Sequence, residues 1–257
     1  MLKKIFLPLL LITTAGRSLG QEARISDHNH INWLNLTSTF KLSKNATLHT
    51  EMQWRRTEGI KEPQQLLLRS SINLAVHKDV SLNIGYAFVN TYPYGDYPAI
   101  RTFPEHRLFE QLALKQQTGR WNFHHRFTLE QRFVGKPVNA DKSSGFYYPF
   151  TNRFRYRLRA EYPFTFEKGR AKKWSLAAMD EFFIGWGKNA GANIFDQNRM
   201  GLFAGYQLSS SLKLEAGYLG QVLQQSRRIN GNPVFQYNNG ALLTAFFSFD
   251  LQKKRPS

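Results

Sequence analysis

Arg153, Arg155, Arg157 and Arg159 occupy every second position of one segment, and Glu161 continues the row. Four guanidinium groups at that spacing suit one kind of chemistry. Each is permanently charged and presents a fork of donors, so together they attract and hold anions. They cannot sit in a dry core, where unpaired charge is too costly. Two further segments carry the same residue types at the same spacing, Glu105 and Arg107 in one, Arg126, Glu130 and Arg132 in the other. Arg107, Arg126, Arg132, Arg153, Arg155, Arg157, Arg159, Glu105, Glu130 and Glu161 are therefore the candidate residues of an anion path. Arg55, Arg69, Arg199, Glu51 and Glu215 fall on the same face in their own segments. Two readings stand side by side. The face lines a cationic lumen that draws in anionic solutes, or it is an Arg–Glu ladder that fills and stiffens a narrow barrel. On the first reading, reversing the charge of Arg155 and Arg157 moves a bilayer reversal potential toward cations.

Other chemistry has weaker support. Barrel enzymes that hydrolyse lipid place serine and histidine toward the membrane, and His125 falls on the apolar face of its segment. A nucleophile needs its base within hydrogen-bond reach. No serine stands two along from His125, Gly-x-Ser-x-Gly is absent, and Ser143 and Ser144 lie in a loop. No catalytic residue is assigned. His28-Asn29-His30 and His124-His125 lack a third ligand at fixed spacing, and adjacent side chains of a strand point apart, so no metal site is expected. No cofactor is expected either. Lys253-Lys254-Arg255 reads as a solvated tail, no phosphate-cradling glycine motif occurs, and no nucleic-acid partner is expected.

The elements that position these residues are strands. In Trp121–Phe133 the residues Trp121, Phe123, His125, Phe127, Leu129, Gln131 and Phe133 alternate with Asn122, His124, Arg126, Thr128, Glu130 and Arg132. Successive strand side chains turn to opposite faces, so this is a ribbon with one apolar and one charged face. In the arginine segment Phe154, Tyr156, Leu158, Ala160 and Tyr162 form the apolar side. Comparable runs recur along the chain, each about 10–14 residues, the length a tilted strand needs to cross a membrane. Short turns such as Ser43-Lys44-Asn45, Lys78-Asp79, Thr118-Gly119 and Ser209-Ser210 alternate with longer loops at 92–103, 135–149, 187–195 and 225–233. Glu110 falls on the apolar side of its run and reads as a bulge or a misplaced register. Tyr86, Tyr92, Tyr94, Trp121, Tyr147, Tyr148, Tyr162, Trp174 and Trp186 lie near strand ends, where an aromatic girdle would sit.

About eleven runs can be counted, whereas bacterial barrels have even numbers. An antiparallel up-and-down transmembrane β-barrel of about 10–12 strands is expected, twelve favoured and ten the alternative, with an extra short strand placed in residues 21–30. A secreted β-sandwich also alternates, but its strands are nearer five or six residues.

The N-terminus reads as an export signal. Lys3 and Lys4 precede a short apolar run to Ala15, and Ser18-Leu19-Gly20 supplies small residues for cleavage after Gly20. The expected organisation is a secretory signal peptide over 1–20 and a barrel over 21–257. The net charge of +17 suits an anionic partner, and the absence of cysteine excludes disulfides and lipobox acylation.

Asn32-Trp33, Gln53-Trp54-Arg55-Arg56, Gln65 to Arg69, Gly85-Tyr86-Ala87, and Glu105-His106-Arg107 followed by Gln111 resemble a family of bacterial outer-membrane barrels, the domain-of-unknown-function family numbered 2490. The resemblance covers nearly all of residues 21–257. It implies an outer-membrane β-barrel of the kind common in Bacteroidetes-like genomes, and it implies no activity. Phe247-Ser248-Phe249 looks like the aromatic signal read by the barrel-insertion machinery. The expected location is the outer membrane of a Gram-negative bacterium. The expected partners are outer-membrane lipid and lipopolysaccharide, the insertion machinery and an anionic small solute. The expected function is porin-like passage or binding of anionic solutes through the arginine-lined lumen. The alternatives are a lipid-modifying enzyme and a surface-binding protein that uses the external loops.

Overall fold

Alternation that continues over so many residues yields long strands, because a strand with one apolar and one polar face is stable only when the two faces meet different surroundings. The structure, a computed structural model, describes residues 24–139, 145–166, 173–190 and 194–252. The strands are β1 (Ile25–Lys41), β2 (Ala46–Thr57), β3 (Glu62–His77), β4 (Val80–Thr91), β5 (Phe103–Thr118), β6 (Trp121–Val134), β7 (Lys136–Pro137), β8 (Phe146–Tyr147), β9 (Phe150–Phe164), β10 (Trp174–Trp186), β11 (Phe195–Gln207), β12 (Leu212–Ile229) and β13 (Asn232–Asp250). Eleven of them close one barrel, and β7 and β8 form a small hairpin beside it. No helix occurs among the described residues. The expected signal peptide, Ser143, Ser144 and the Lys253–Arg255 tail lie outside the described residues.

The barrel is all-β and up-and-down, as the alternation predicts, but it closes with eleven strands, not the twelve favoured. The reason is the seam. Neighbours pair antiparallel throughout except β1 and β13, which run parallel from Ile25↔Val234 to Lys41↔Asp250. A parallel pair lets the first and last strands point the same way, and that removes the demand for an even count. Residues 25–30 make no extra strand; they prolong β1. The β1–β13 seam is joined along its full length, so the barrel has no open edge.

Glu110 also departs from expectation. No register shift occurs on either side of it, and its carboxylate is exposed on the outer wall, where Oε2 accepts from Nε2 of Gln131 at 3.0 Å. Residues 225–229 belong to β12, and Asn230-Gly231 turns directly into β13, so the expected fourth loop is a projecting hairpin.

The outer wall carries Leu36, Leu68, Ile84, Leu108, Leu129, Leu176, Leu202 and Leu243, all exposed. The interior is filled from one side by an apolar cluster of Ile31, Trp33, Ala177, Phe203 and Leu219. Gly201 and Gly217 make room for it, since a Cβ on Gly201 would come within 2.3 Å of the Phe203 ring and one on Gly217 within 2.7 Å of its backbone.

Candidate functional site

Beside the apolar cluster, whose Ala177 and Phe203 stand on β10 and β11, the charged inner wall is made by β5, β6, β9, β10 and β11. β9 sends Arg153, Arg155, Arg157 and Arg159 inward, and Phe154, Tyr156 and Leu158 outward toward the rings and side chains of β6 and β10. Arg107, Arg126, Arg132, Glu105, Glu130 and Glu161 point inward from their own strands, as do Arg55, Arg69, Arg199, Glu51 and Glu215. All fifteen residues thus share the interior, brought together from seven strands.

Their pairing is specific. Glu105 takes Arg107 at 2.6 Å and Arg132 on its other side. Arg132 reaches Asp196 at 3.5 Å, and Asp196 takes Arg153 at 2.7 Å. Glu130 lies between Arg153 and Arg155, and Arg155 continues to Glu181 at 2.7 Å. Arg199 ends the chain at 3.7 Å from Glu181. This continuous file of alternating charge is the Arg–Glu ladder in its literal form. A second group joins Lys213, Glu161, Arg159 and Glu215, and Arg69 holds Glu51 at 3.1 Å. Burial of these ions is offset by the pairing, although Nε of Arg69, Arg155 and Arg199 is buried without a partner.

Rings complete the lining. Phe183, 1% exposed, is faced by Arg153 at 5.1 Å, Arg155 at 4.7 Å and Arg199 at 4.9 Å. Trp33 carries Arg55 over its ring at 3.8 Å and Arg199 at 5.2 Å, and its Nε1 donates to Oε1 of Gln64 at 2.7 Å. Each contact pairs a cation with the negative face of a ring. Sequence reasoning missed Asp196, Glu181, Trp33 and Phe183 as members of the site. Trp33 and Phe183 do stand in phase with the inward residues, which was the available signal.

Above this wall, at the long-loop end, lies a chamber of about 320 Å³. Arg55, Arg107, Arg132, Arg153 and Arg199 line it, together with Gln64, Gln197, Gln221 and Gln236. The segment 92–102 folds over it. Tyr94, expected at the girdle, instead turns inward: its hydroxyl donates to Oε1 of Gln236 at 3.0 Å and accepts from Nδ2 of Asn238 at 3.3 Å. Burial pushes that hydroxyl above its ordinary pKa, so it stays a neutral donor. Gln225 and Arg227, from the projecting hairpin, donate to the carbonyl of Tyr97 at 2.9 and 2.6 Å and hold the segment in place. Tyr86, Trp121, Tyr147, Tyr148, Trp174 and Trp186 are exposed.

The histidines of the sequence stand apart from the chamber. His125 Nδ1 lies 2.8 Å from the Tyr156 hydroxyl on the outer wall, and His28 stacks on Tyr237 at 5.0 Å. No group of three metal-ligating side chains occurs among the described residues.

The comparisons with known proteins belong to this geometry. Residues 31–232 match the profile of the family described as protein of unknown function (DUF2490). The chain belongs to that family. Its match runs from the apolar cluster of β1 to the first residue of β13, and so takes in the ladder and the chamber lining except Gln236. No match was found among curated proteins. Among solved structures the chain is similar to OccK8 (OprE) of Pseudomonas aeruginosa, at 10% identity and a TM-score of 0.33 over 70% of this chain. It spans 54% of that protein's length.

Proposed function

We propose that this protein is an outer-membrane β-barrel of a Gram-negative cell that binds small anionic solutes in its mouth chamber and passes them through its arginine-lined lumen. The membrane location rests on the outer wall. A closed barrel satisfies every strand edge internally, and a soluble protein does not expose leucine, isoleucine and aromatic side chains all the way round. The anionic preference rests on the lining of the chamber. Six arginines and Lys136 face one pocket against two carboxylates, Glu105 and Asp196, and that excess gives the mouth a positive potential. The long-loop end, where the chamber opens, is the external face by the same rhythm of short turns and long loops. Lipid and lipopolysaccharide are the surroundings this reading requires.

The test is ion selectivity in a planar bilayer. The folded protein is reconstituted under a potassium chloride gradient and its reversal potential measured. A potential on the anion side supports the reading, and a cation-selective or silent barrel refutes passage. The ladder also redirects the earlier choice of substitutions. Arg155 bridges Glu130 and Glu181, so reversing its charge breaks the wall, whereas Arg157 can be changed without unpairing a carboxylate.

A further inference from the structure

The ladder and its companion ion pairs engage every inward carboxylate of the described wall except Asp27, which Asn29 and Gln236 hold, and two inward guanidinium groups among the described residues are left with neither an ion pair nor a hydrogen bond. Arg126 on β6 and Arg157 on β9 are direct cross-strand partners. Neither makes an ion pair or a hydrogen bond among the described residues, and the Nε of Arg157 is buried without a partner. Like charges set directly opposite on adjacent strands repel. The carboxylates whose field reaches them are committed elsewhere. Glu181, across from Arg157 on β10, is held by Arg155 and Arg199, and Glu51 is held by Arg69 and Gln53. On the other side of Arg126 the cross-strand neighbour is Ala113, which offers no charge. Neither arginine lines the mouth chamber, so the pair lies below it on the barrel wall, one step past the Arg155 rung.

We infer that Arg126 and Arg157 form a second site, a two-guanidinium clamp that takes a small oxyanion of the phosphate or carboxylate class from the lumen. Each guanidinium presents a fork of N–H donors that can bind two oxygens of one oxyanion, and two forks from register partners can share such a group, which a spherical halide cannot use in the same way. Both side chains face the lumen and are half-buried, so neither is sealed within the wall. This inference rests on the reading of an anion-accepting lumen and adds to it a chemical class and a place.

The test uses the whole protein, folded in detergent, and needs no open pore. Inorganic phosphate, acetate and chloride are titrated at constant ionic strength, with binding followed by calorimetry and by the shift of the thermal unfolding midpoint. The variants are Arg126→Gln, Arg157→Gln and, at an exposed turn outside both the clamp and the chamber, Lys78→Gln. Phosphate or acetate should bind the wild type in preference to chloride. Each clamp substitution should weaken that binding roughly tenfold or more, the loss expected for a charge-assisted pair of hydrogen bonds. Lys78→Gln should leave it intact. Without phosphate, Arg157→Gln should unfold at a temperature no lower than wild type, because it relieves repulsion and breaks no pair. A clearly lower midpoint there would assign Arg157 a structural role and overturn the clamp. So would oxyanion binding that survives both clamp substitutions, or that equals chloride. A barrel silent in bilayers whose phosphate binding still depends on Arg126 and Arg157 would refute passage and keep the clamp.

Discussion

Glu130 stands between two arginines of the neighbouring strand and accepts from both, Oε2 at 2.7 Å from Nε of Arg153 and Oε1 at 2.6 Å from Nη1 of Arg155. All three side chains are buried. Glu130→Ala would leave Arg153 with Asp196 alone and Arg155 with Glu181 alone, adding uncompensated positive charge to the wall at a cost on the order of 3 kcal/mol. Urea unfolding of the detergent-folded protein measures it, and a loss below about 1 kcal/mol would mean that water screens the wall.

The seam gives a second prediction. Ile31 and Gly240 are register partners on the two parallel strands, and a Cβ on Gly240 would come within 1.7 Å of the Ile31 carbonyl oxygen. Gly240→Val should therefore prevent closure. Intact membrane barrels run on a gel at a different apparent mass before and after boiling. The variant should lose that difference, while Gly119→Asn, at a turn with open space around it, should keep it.

The inward segment 92–102 sets access to the chamber. Tyr94→Ala removes the contacts to Gln236 and Asn238 and leaves the hydrogen bond from the Asp96 N–H to Oδ1 of Asp27, at 3.3 Å, as the segment's hold on β1. Single-channel conductance should rise and its fluctuations increase. An unchanged conductance would place the narrowest point deeper in the lumen.

The outer wall carries a carboxylate at Glu110, flanked by exposed Leu108 and Leu112. A charge facing lipid is unfavourable, though less so for a carboxylate than for a basic side chain. Glu110→Leu should raise stability in lipid vesicles by about 1 kcal/mol. If stability falls instead, the Glu110–Gln131 pair has a partner at that face, and cross-linking from position 110 would reveal it.

Much of the wall was legible before any coordinates. Strand alternation is a local property, so the facing of Arg153 or Glu130 follows from its parity relative to neighbours such as Phe154 and Leu129. What parity cannot supply is who meets whom. Glu110 read as an irregularity because a lone carboxylate on an apolar face has no local explanation; its partner Gln131 is 21 residues away. Tyr94 read as a girdle residue because it sits in a loop beside a strand end, and nothing local says that the loop folds inward.

The sequence by itself determined the strands, their inner and outer faces, the barrel class and the excess of arginine on one face, since each depends on a period of two or on composition. The tertiary structure decided the parallel seam and the odd strand count, the fold of residues 92–102 over the mouth, and the division of the arginines into a neutralised file and an unmatched pair. These depend on register between strands far apart in the chain. A shift of one residue in pairing would give Arg157 another neighbour while leaving its own strand unchanged.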